Sequence, residues 1–343
     1  MKTQDLHVVG AYSNPNQYAT PKRLLRQWVS DTLDGGVSLT LVEHQTGEHP
    51  WDFAKDDPLF AHVNLVQVRG GAQHLLWLQH ALYNRGIATL PETAKGICWQ
   101  DTDIKHQRSD WATETLHMLQ HYRVGQTWTN SVDLDPNGNV ATNEWGNDVD
   151  RSFCAAWLAG DVDPKDGPYA PPVSRALLPK REEGKRDWRS HTGYSWAIRP
   201  DALAKLGRLL DWMIIGSGDY HMAHGFAGNL RQMCSSALSQ PGDWTYSQSY
   251  FRKLLEFADQ CDFAIQQDIG VVPGKIDHGW HGSKRLRFYG GREDVMREGR
   301  FDPDRDIVYD VHGLPMLTGR NPLLRDGLRR YNARRNADCI RVD

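Results

Sequence analysis

Two carboxylates one residue apart close a short apolar run in Lys95-Gly-Ile-Cys-Trp-Gln-Asp101-Thr-Asp103-Ile. Side chains alternate along a strand, so Asp101 and Asp103 are expected to point the same way just beyond the end of Ile97 to Trp99. Such a pair suits Mg2+ or Mn2+, ions that take oxygen ligands and share their shell with substrate phosphates. Ligands of open α/β sheets sit beyond the carboxyl ends of the strands, which is where this pair falls. A solvated turn is the plain alternative for so short a motif.

Two further clusters carry chemistry. In Asp211-Trp-Met-Ile-Ile-Gly216-Ser-Gly218-Asp219-Tyr-His221-Met-Ala-His224, an apolar run breaks on Gly-Ser-Gly and Asp219 stands where a helix would begin. The carboxylate there could cap that helix. It could equally act as a general base beside a ligand that the glycines let approach. In His278-Gly279-Trp280-His281-Gly282-Ser283-Lys284, two histidines three apart could ligate a metal, and the lysine could face a diphosphate.

The elements that must position these groups read as α/β. His7 to Tyr12, Val37 to Glu43, Val63 to Val68 and the run into Asp101 are expected strands. Between them lies a helix capped by Thr20 with Pro21 first, and a helix over 72–84 with Gly86 as its C-cap. Strand and helix alternating across glycine turns indicate a parallel sheet covered on both faces. Trp111 to Tyr122 is an expected helix, followed by a strand over Val124 to Val132 and a turn at Asp135-Pro-Asn-Gly-Asn. Residues 161–189, with five prolines and many charges, read as a surface excursion. His191 to Arg199 and Ile269 to Ile276 read as strands, and Asp201 to Leu210 and Phe251 to Ile265 as helices.

Composition narrows the class. The chain has 343 residues, 39% hydrophobic, with net charge -3. No apolar run approaches the roughly 18 residues that span a bilayer, so no membrane partner is expected. Five scattered cysteines, none in C-x-x-C spacing, fit a reducing compartment rather than a disulfide framework or zinc ribbon. A cytoplasmic protein is therefore expected. No linker composition marks a boundary, so one elaborated domain is expected over 1–343. It divides into a first half (1–135), a second half (136–285) and a C-terminal extension (286–343).

The order of these motifs resembles the GT-A glycosyltransferases, and more narrowly GT-A enzymes of phage and bacterial genomes. The resemblance is carried by Trp99 to Asp103, Leu119 to Tyr122, Gly193 to Ala197, Gly216 to Ala223 and Trp280 to Gly282. It implies an α/β/α nucleotide-sugar-binding sheet with C-terminal helical and loop elaborations. It also implies transfer of a sugar, from a donor by default UDP-linked, to a hydroxyl acceptor, with inversion and with Mn2+ or Mg2+. Asp101, Asp103, His278 and His281 then match metal ligands, and Asp219 the base. Tyr12, Glu43, Arg69, Asp101, Trp196, Gly218 and Lys284 fall on the nucleotide sugar. Arg285-Leu286 stands where the family often has Pro-Trp after the lysine, leaving the choice between His278 and His281 open. The narrower resemblance suggests a hydroxymethylated pyrimidine in DNA as acceptor, in a host cytoplasm if phage-borne. Lys180, Arg181, Lys185, Arg186, Trp188 and Arg189 could form the arm that grips it. A saccharide or small-molecule acceptor is the alternative. A metallophosphoesterase is a rival of another class, although its usual G-N-H-[DE] element is absent. A non-catalytic sugar- or nucleic-acid-binding module is a third reading. Oligomeric state is not legible.

Overall fold

Residues 6–13 alternate Leu6, Val8 and Tyr12 on one face with Val9 on the other, and both faces are covered. That is why the first strand carries apolar residues on both faces rather than on one. The computed structural model describes residues 2–141, 149–162, 190–239, 247–283, 285–288 and 292–340. The chain opens with β1 (Leu6–Ser13), α1 (Ala19–Asp34), β2 (Ser38–Thr46), β3 (Val63–Gly70), α2 (Gln79–Ile87) and β4 (Gly96–Gln100). It continues through β5 (Ile104–His106), α3 (Trp111–His121), β6 (Val124–Gln126), β7 (Asn130–Leu134), β8 (Val140–Ala141), β9 (Asp150–Arg151) and α4 (Phe153–Leu158). Next come β10 (Ser195–Ile198), α5 (Pro200–Leu206), α6 (Gly218–Phe226), α7 (Leu230–Ser239), α8 (Gln248–Ala264), β11 (Ile269–Val271) and β12 (Lys275–His278). The last elements are α9 (Arg292–Glu298), α10 (Pro303–Asp306), β13 (Ile307–Tyr309), β14 (Pro315–Leu317) and α11 (Pro322–Arg334).

The expected α/β sheet is present. Seven strands run in the order β11-β6-β10-β4-β1-β2-β3. All neighbours are parallel except β10, which is antiparallel to both β4 and β6. The order reverses at β1: β2 and β3 lie to one side and β4 to the other. Asp101 therefore follows the strand at a topological switch point, where such sheets bind ligands. A second sheet runs β5-β12-β7-β8, with β9 also on β7. β13 and β14 form a separate hairpin.

Each face of the main sheet buries its own core. Leu25, Trp28 and Val29 of α1 and Leu116 of α3 pack with Val8, Leu41 and Cys98. Leu82 and Tyr83 of α2, Phe226 of α6 and Leu254 of α8 pack with Val9, Val42, Trp99 and Trp196.

Several local expectations are corrected. Thr20 does not cap α1: Asp338, from the far end of the chain, accepts the Ala19 and Thr20 N–H groups at 2.9 and 2.7 Å. The helix expected from 72 begins at Gln79, after a 3-10 turn over Ala72–His74. Gly86 lies inside it rather than capping it, because a Cβ there would stand 2.5 Å from a Val9 methyl. The run Val124 to Val132 divides between β6 and β7, and Ile269 to Ile276 between β11 and β12, each pair split across the two sheets. Residues 163–189, with the basic arm, and Lys284 lie outside the described residues.

Candidate functional site

The second sheet fixes the metal-ligating candidates. His278 ends β12, where its register partners are Ile104 of β5 and Asp133 of β7. The Gly279 N–H donates to the Asp103 carbonyl at 2.7 Å, locking the residue before β5 to the end of β12. His281 returns toward His278 through a tight turn. Gly282, at φ +94°, completes that turn, and a Cβ on it would meet the Asn336 carbonyl at 2.3 Å.

Three side chains then converge. The His281 Nε2 lies 3.2 Å from the His278 Nε2, and Asp103 Oδ2 lies 3.4 and 3.7 Å from His281 and His278. Two ligand atoms about 2.1 Å from one ion and at right angles stand about 3 Å apart, so this is the spacing of a coordination shell. The His278 Nδ1 faces Asp133 Oδ1 at 2.7 Å. Arg287 Nη1 donates to the His281 Nε2 at 2.8 Å, which makes that nitrogen an acceptor. Asp103 Oδ1 is buried and has no hydrogen-bond partner among the described residues. Acceptor atoms thus crowd one point that needs a positive charge. Burial opposes an imidazolium at His278, but Asp103 and Asp133 outweigh it and hold the ring protonated, lifting it to about 10. Burial and Arg287 push His281 far below its ordinary value. A proton on His278 meets the need for charge, and a divalent cation would meet it better. The residues fit such an ion, and two imidazoles favour Mn2+ over Mg2+.

Asp101 stands outside that trio. Its Oδ1 accepts from Gln79 Nε2 at 2.6 Å and from the Tyr83 hydroxyl at 3.1 Å, both on α2. Burial, Asp103 and Asp219 raise its pKa. Among the described residues, the set whose ligand atoms come together is Asp103, His278 and His281.

Asp219 lies in the first turn of α6, but its side chain does not cap the helix. Oδ2 instead accepts from the Thr192 hydroxyl at 2.8 Å. Burial would raise its pKa, yet His80, His191, Thr192 and Arg292 prevail and keep it ionised. Gly218 makes this approach feasible, since a Cβ there would lie 2.6 Å from the His80 Nδ1. His191 stacks on Tyr194 at 3.8 Å, and Tyr194 is held at φ +74°. Ser217, at φ +67°, is strained in the same way, and such strain gathers at ligand sites.

The remaining predicted residues are placed as follows. Tyr12 donates to Asp52 Oδ2 at 2.9 Å, and Glu43, fully buried, accepts from the Asp52 N–H at 2.6 Å and from Gln67 at 2.9 Å. Together they form a polar floor at the carboxyl ends of β1 and β2, where they are register partners. Burial raises Glu43 above the usual carboxylate range despite its three donors. Arg69 donates to the Gly47 and His49 carbonyls, and its guanidinium lies 4.3 Å from the Trp51 ring. Trp196 is in the core, stacked 6.5 Å from Trp99, and its N–H donates to the Thr192 carbonyl at 2.7 Å. The sequence reading missed Gln79, His80, Tyr83, Asp133, His191, Thr192 and Arg287. Only His80, at helical spacing from Tyr83, carried a visible hint.

No protein-family profile and no curated protein matches the sequence. Among solved structures, the chain is similar to residues 1–349 of S. aureus TarS, at 10% identity over 76% of this chain and 72% of that one, with a TM-score of 0.36. It is similar to the 4-diphosphocytidyl-2C-methyl-D-erythritol synthase of Anaerococcus prevotii DSM 20548, at 10% identity over 79% and 90%, with a TM-score of 0.34. Mouse xyloside xylosyltransferase 1 gives 13% identity over 80% and 97%, with a TM-score of 0.31. None of these likenesses is close enough to carry a residue's role from one protein to the other.

Proposed function

We propose that this chain is a metal-dependent glycosyltransferase moving a sugar from a nucleotide-sugar donor to a hydroxyl acceptor. The observation that carries the reading is the convergence of Asp103, His278 and His281 at a sheet switch point, with a second, ionised carboxylate, Asp219, close enough to raise Asp101. In it, Asp103, His278 and His281 would hold Mn2+. When bound, the ion supplies Lewis-acid stabilisation to a departing diphosphate.

The chain's own groups do the rest. Asp101, held by Gln79 and Tyr83, faces the nucleotide, whose base lies toward the Tyr12 and Glu43 floor. A ring nitrogen has one lone pair, so His281 Nε2 could not both ligate an ion and accept from Arg287; with that nitrogen as a ligand, the Arg287 guanidinium would serve the diphosphate. Lys284 is assigned to the same anion. Asp219 takes the acceptor's proton as the acceptor oxygen bonds to the anomeric carbon. The bond from that carbon to the diphosphate oxygen breaks, and its electron pair leaves on the diphosphate. Attack from the face opposite the leaving group inverts the centre. Among acceptors we favour a hydroxymethylated pyrimidine in DNA over a saccharide. Exposed Arg330 and Arg334 on α11, which make no ion pair among the described residues, support a polyanionic acceptor.

The test is incubation with Mn2+ and a panel of nucleotide sugars, followed by nucleoside diphosphate release. Duplex DNA with 5-hydroxymethylpyrimidines, unmodified DNA and a glycan serve as acceptors. Release that depends on Mn2+ and on Asp219 supports the transferase. Cleavage of phosphodiesters without any sugar donor would identify a metallophosphoesterase instead. Label entering the glycan and neither DNA would remove the DNA acceptor and leave the class standing.

A further inference from the structure

The polar pair Asp133–His278 is expensive for its position. Both residues lie on adjacent parallel strands in direct register, and the backbone ladder from Lys275↔Asn130 to His278↔Asp133 already joins β12 to β7. An apolar cross-strand pair would serve that joint as well, without the cost of taking charges out of water. The Asp133 side chain is only 12% exposed and that of His278 8%. Something other than strand pairing accounts for the carboxylate.

We propose that Asp133 is the positioning residue of the metal site. Its Oδ1 holds the Nδ1–H of His278 at 2.7 Å, which leaves Nε2 as the nitrogen that faces Asp103 Oδ2 and His281 Nε2. A neutral imidazole carries one N–H, and whichever nitrogen loses that hydrogen becomes the ligand. Without Asp133, the His278 ring is free to turn or to change tautomer, presenting a hydrogen where a lone pair is needed. The Tyr194 hydroxyl reaches the same Oδ1 at 3.5 Å, and the Tyr194 ring lies 4.8 Å from that of His278. One carboxylate oxygen therefore joins the metal edge to the 191–194 segment, whose Thr192 holds Asp219.

This inference rests on the metal-binding reading above, and the experiment separates the two. Mn2+ binding to the purified full chain is followed by the loss of the free-ion electron paramagnetic resonance signal. The variants are Asp133→Ala, Asp133→Asn, His278→Ala and, as a control at an exposed position of α8, Asp262→Asn. Melting of each protein in EDTA reports any structural effect apart from metal affinity. Loss of an outer-shell carboxylate on a ligating histidine typically weakens metal binding 10–100-fold. Asp133→Ala should raise the Kd by that factor, while Asp262→Asn leaves it unchanged. Asp133→Asn should fall between wild type and Asp133→Ala, since an amide oxygen still accepts the Nδ1–H but lacks the charge. If Asp133→Ala does not fold, the Asn variant carries the test. Wild-type affinity in a folded Asp133 variant, with His278→Ala defective, overturns the role of Asp133 alone. Equal Mn2+ binding by wild type and His278→Ala overturns the metal site itself.

Discussion

Gly218→Ala tests whether α6 is wedged against α2 so as to hold Asp219. On intrinsic grounds the change should help, because replacing glycine by alanine at a compatible position stabilises by about 0.4–1 kcal/mol. The backbone here is not left-handed, so no conformational penalty opposes that gain. What opposes it is space: the new Cβ would stand 2.6 and 2.8 Å from Nδ1 and Cε1 of His80, and 3.4 Å from the Leu210 carbonyl. His80 is buried and edge-on to Tyr83 at 5.8 Å, so its ring cannot simply swing aside. Overpacking of this kind costs about 1–3 kcal/mol, which exceeds the intrinsic gain. Gly218→Ala should therefore destabilise, and it should slow transfer by shifting Asp219 or His80. Urea unfolding of the single variants and of Gly218→Ala/His80→Ala gives the coupling directly. With the imidazole gone the methyl fits, so the double variant should be more stable than the sum of the singles by about 1 kcal/mol or more. Additive effects, or a Gly218→Ala variant as stable as wild type, would refute the wedge.

Asp103→Ala should abolish Mn2+-dependent transfer and Mn2+ binding while leaving thermal unfolding in EDTA near that of wild type; substantial Mn2+-dependent turnover would exclude Asp103 as a ligand. Asp219→Asn cannot accept a proton, so transfer should fall by about 10²–10⁴-fold while nucleoside diphosphate affinity, read by calorimetry, stays within a few-fold. Loss of nucleotide binding as well would make Asp219 a binding group rather than the base. His44, His80, His221 and His224 are buried, and burial lowers each to about 4 from an ordinary 6.5. The folded chain keeps them neutral while the unfolded chain binds protons below pH 6.5, so their contribution is complete above pH 6.5 and is lost progressively between pH 6.5 and 4. Denaturant titrations across that window should show stability falling with pH. His224→Gln should make the slope shallower by about one proton; an unchanged slope would show that His224 is already protonated in the fold.

Much of the fold was legible because its cause is local. β1, β2, β3 and β4 come from short apolar runs bounded by glycine and polar turns, and α3 and α8 from apolar positions at helical spacing. The failures are of two physical kinds. The cap of α1 comes from Asp338, and no pattern near Thr20 could announce it. The two apolar runs that divide between sheets looked continuous because each half is buried against a different layer. For the second, Pro273-Gly274 was a turn signal inside the run. The site shows the same contrast. Asp101, Asp103, Asp219, His278 and His281 were candidates from motif alone, whereas Asp133 is brought beside His278 only by a strand register.

Those two divided runs also explain where the site lies. The chain passes from the first sheet to the second three times: between β4 and β5, between β6 and β7, and between β11 and β12. Each passage leaves a short segment that belongs to neither ladder; the last two run side by side, and the first meets the far end of β12, where the Gly279 N–H donates to the Asp103 carbonyl. Asp103 sits in the first passage, and His278 and Asp133 stand on the strands that the other two lead into. Backbone bonds hold the seam, among them the Thr129 N–H to the Gly274 carbonyl at 2.9 Å and the Asp101 N–H to the Tyr194 carbonyl at 2.7 Å, and side chains add to them. Thr127 Oγ1 lies 2.5 Å from Ser195 Oγ and 3.0 Å from the His106 Nε2, and the Thr129 hydroxyl donates to the Val272 carbonyl at 3.0 Å. A seam between sheets can hold buried polar groups that a continuous ladder would have to exclude, because there the backbone itself needs partners. In this chain that need and the need for converging acceptor atoms are met at one place. Asp133 and His278 therefore stand on strands, fixed by register, with Asp103 and His281 in the short turns beside them.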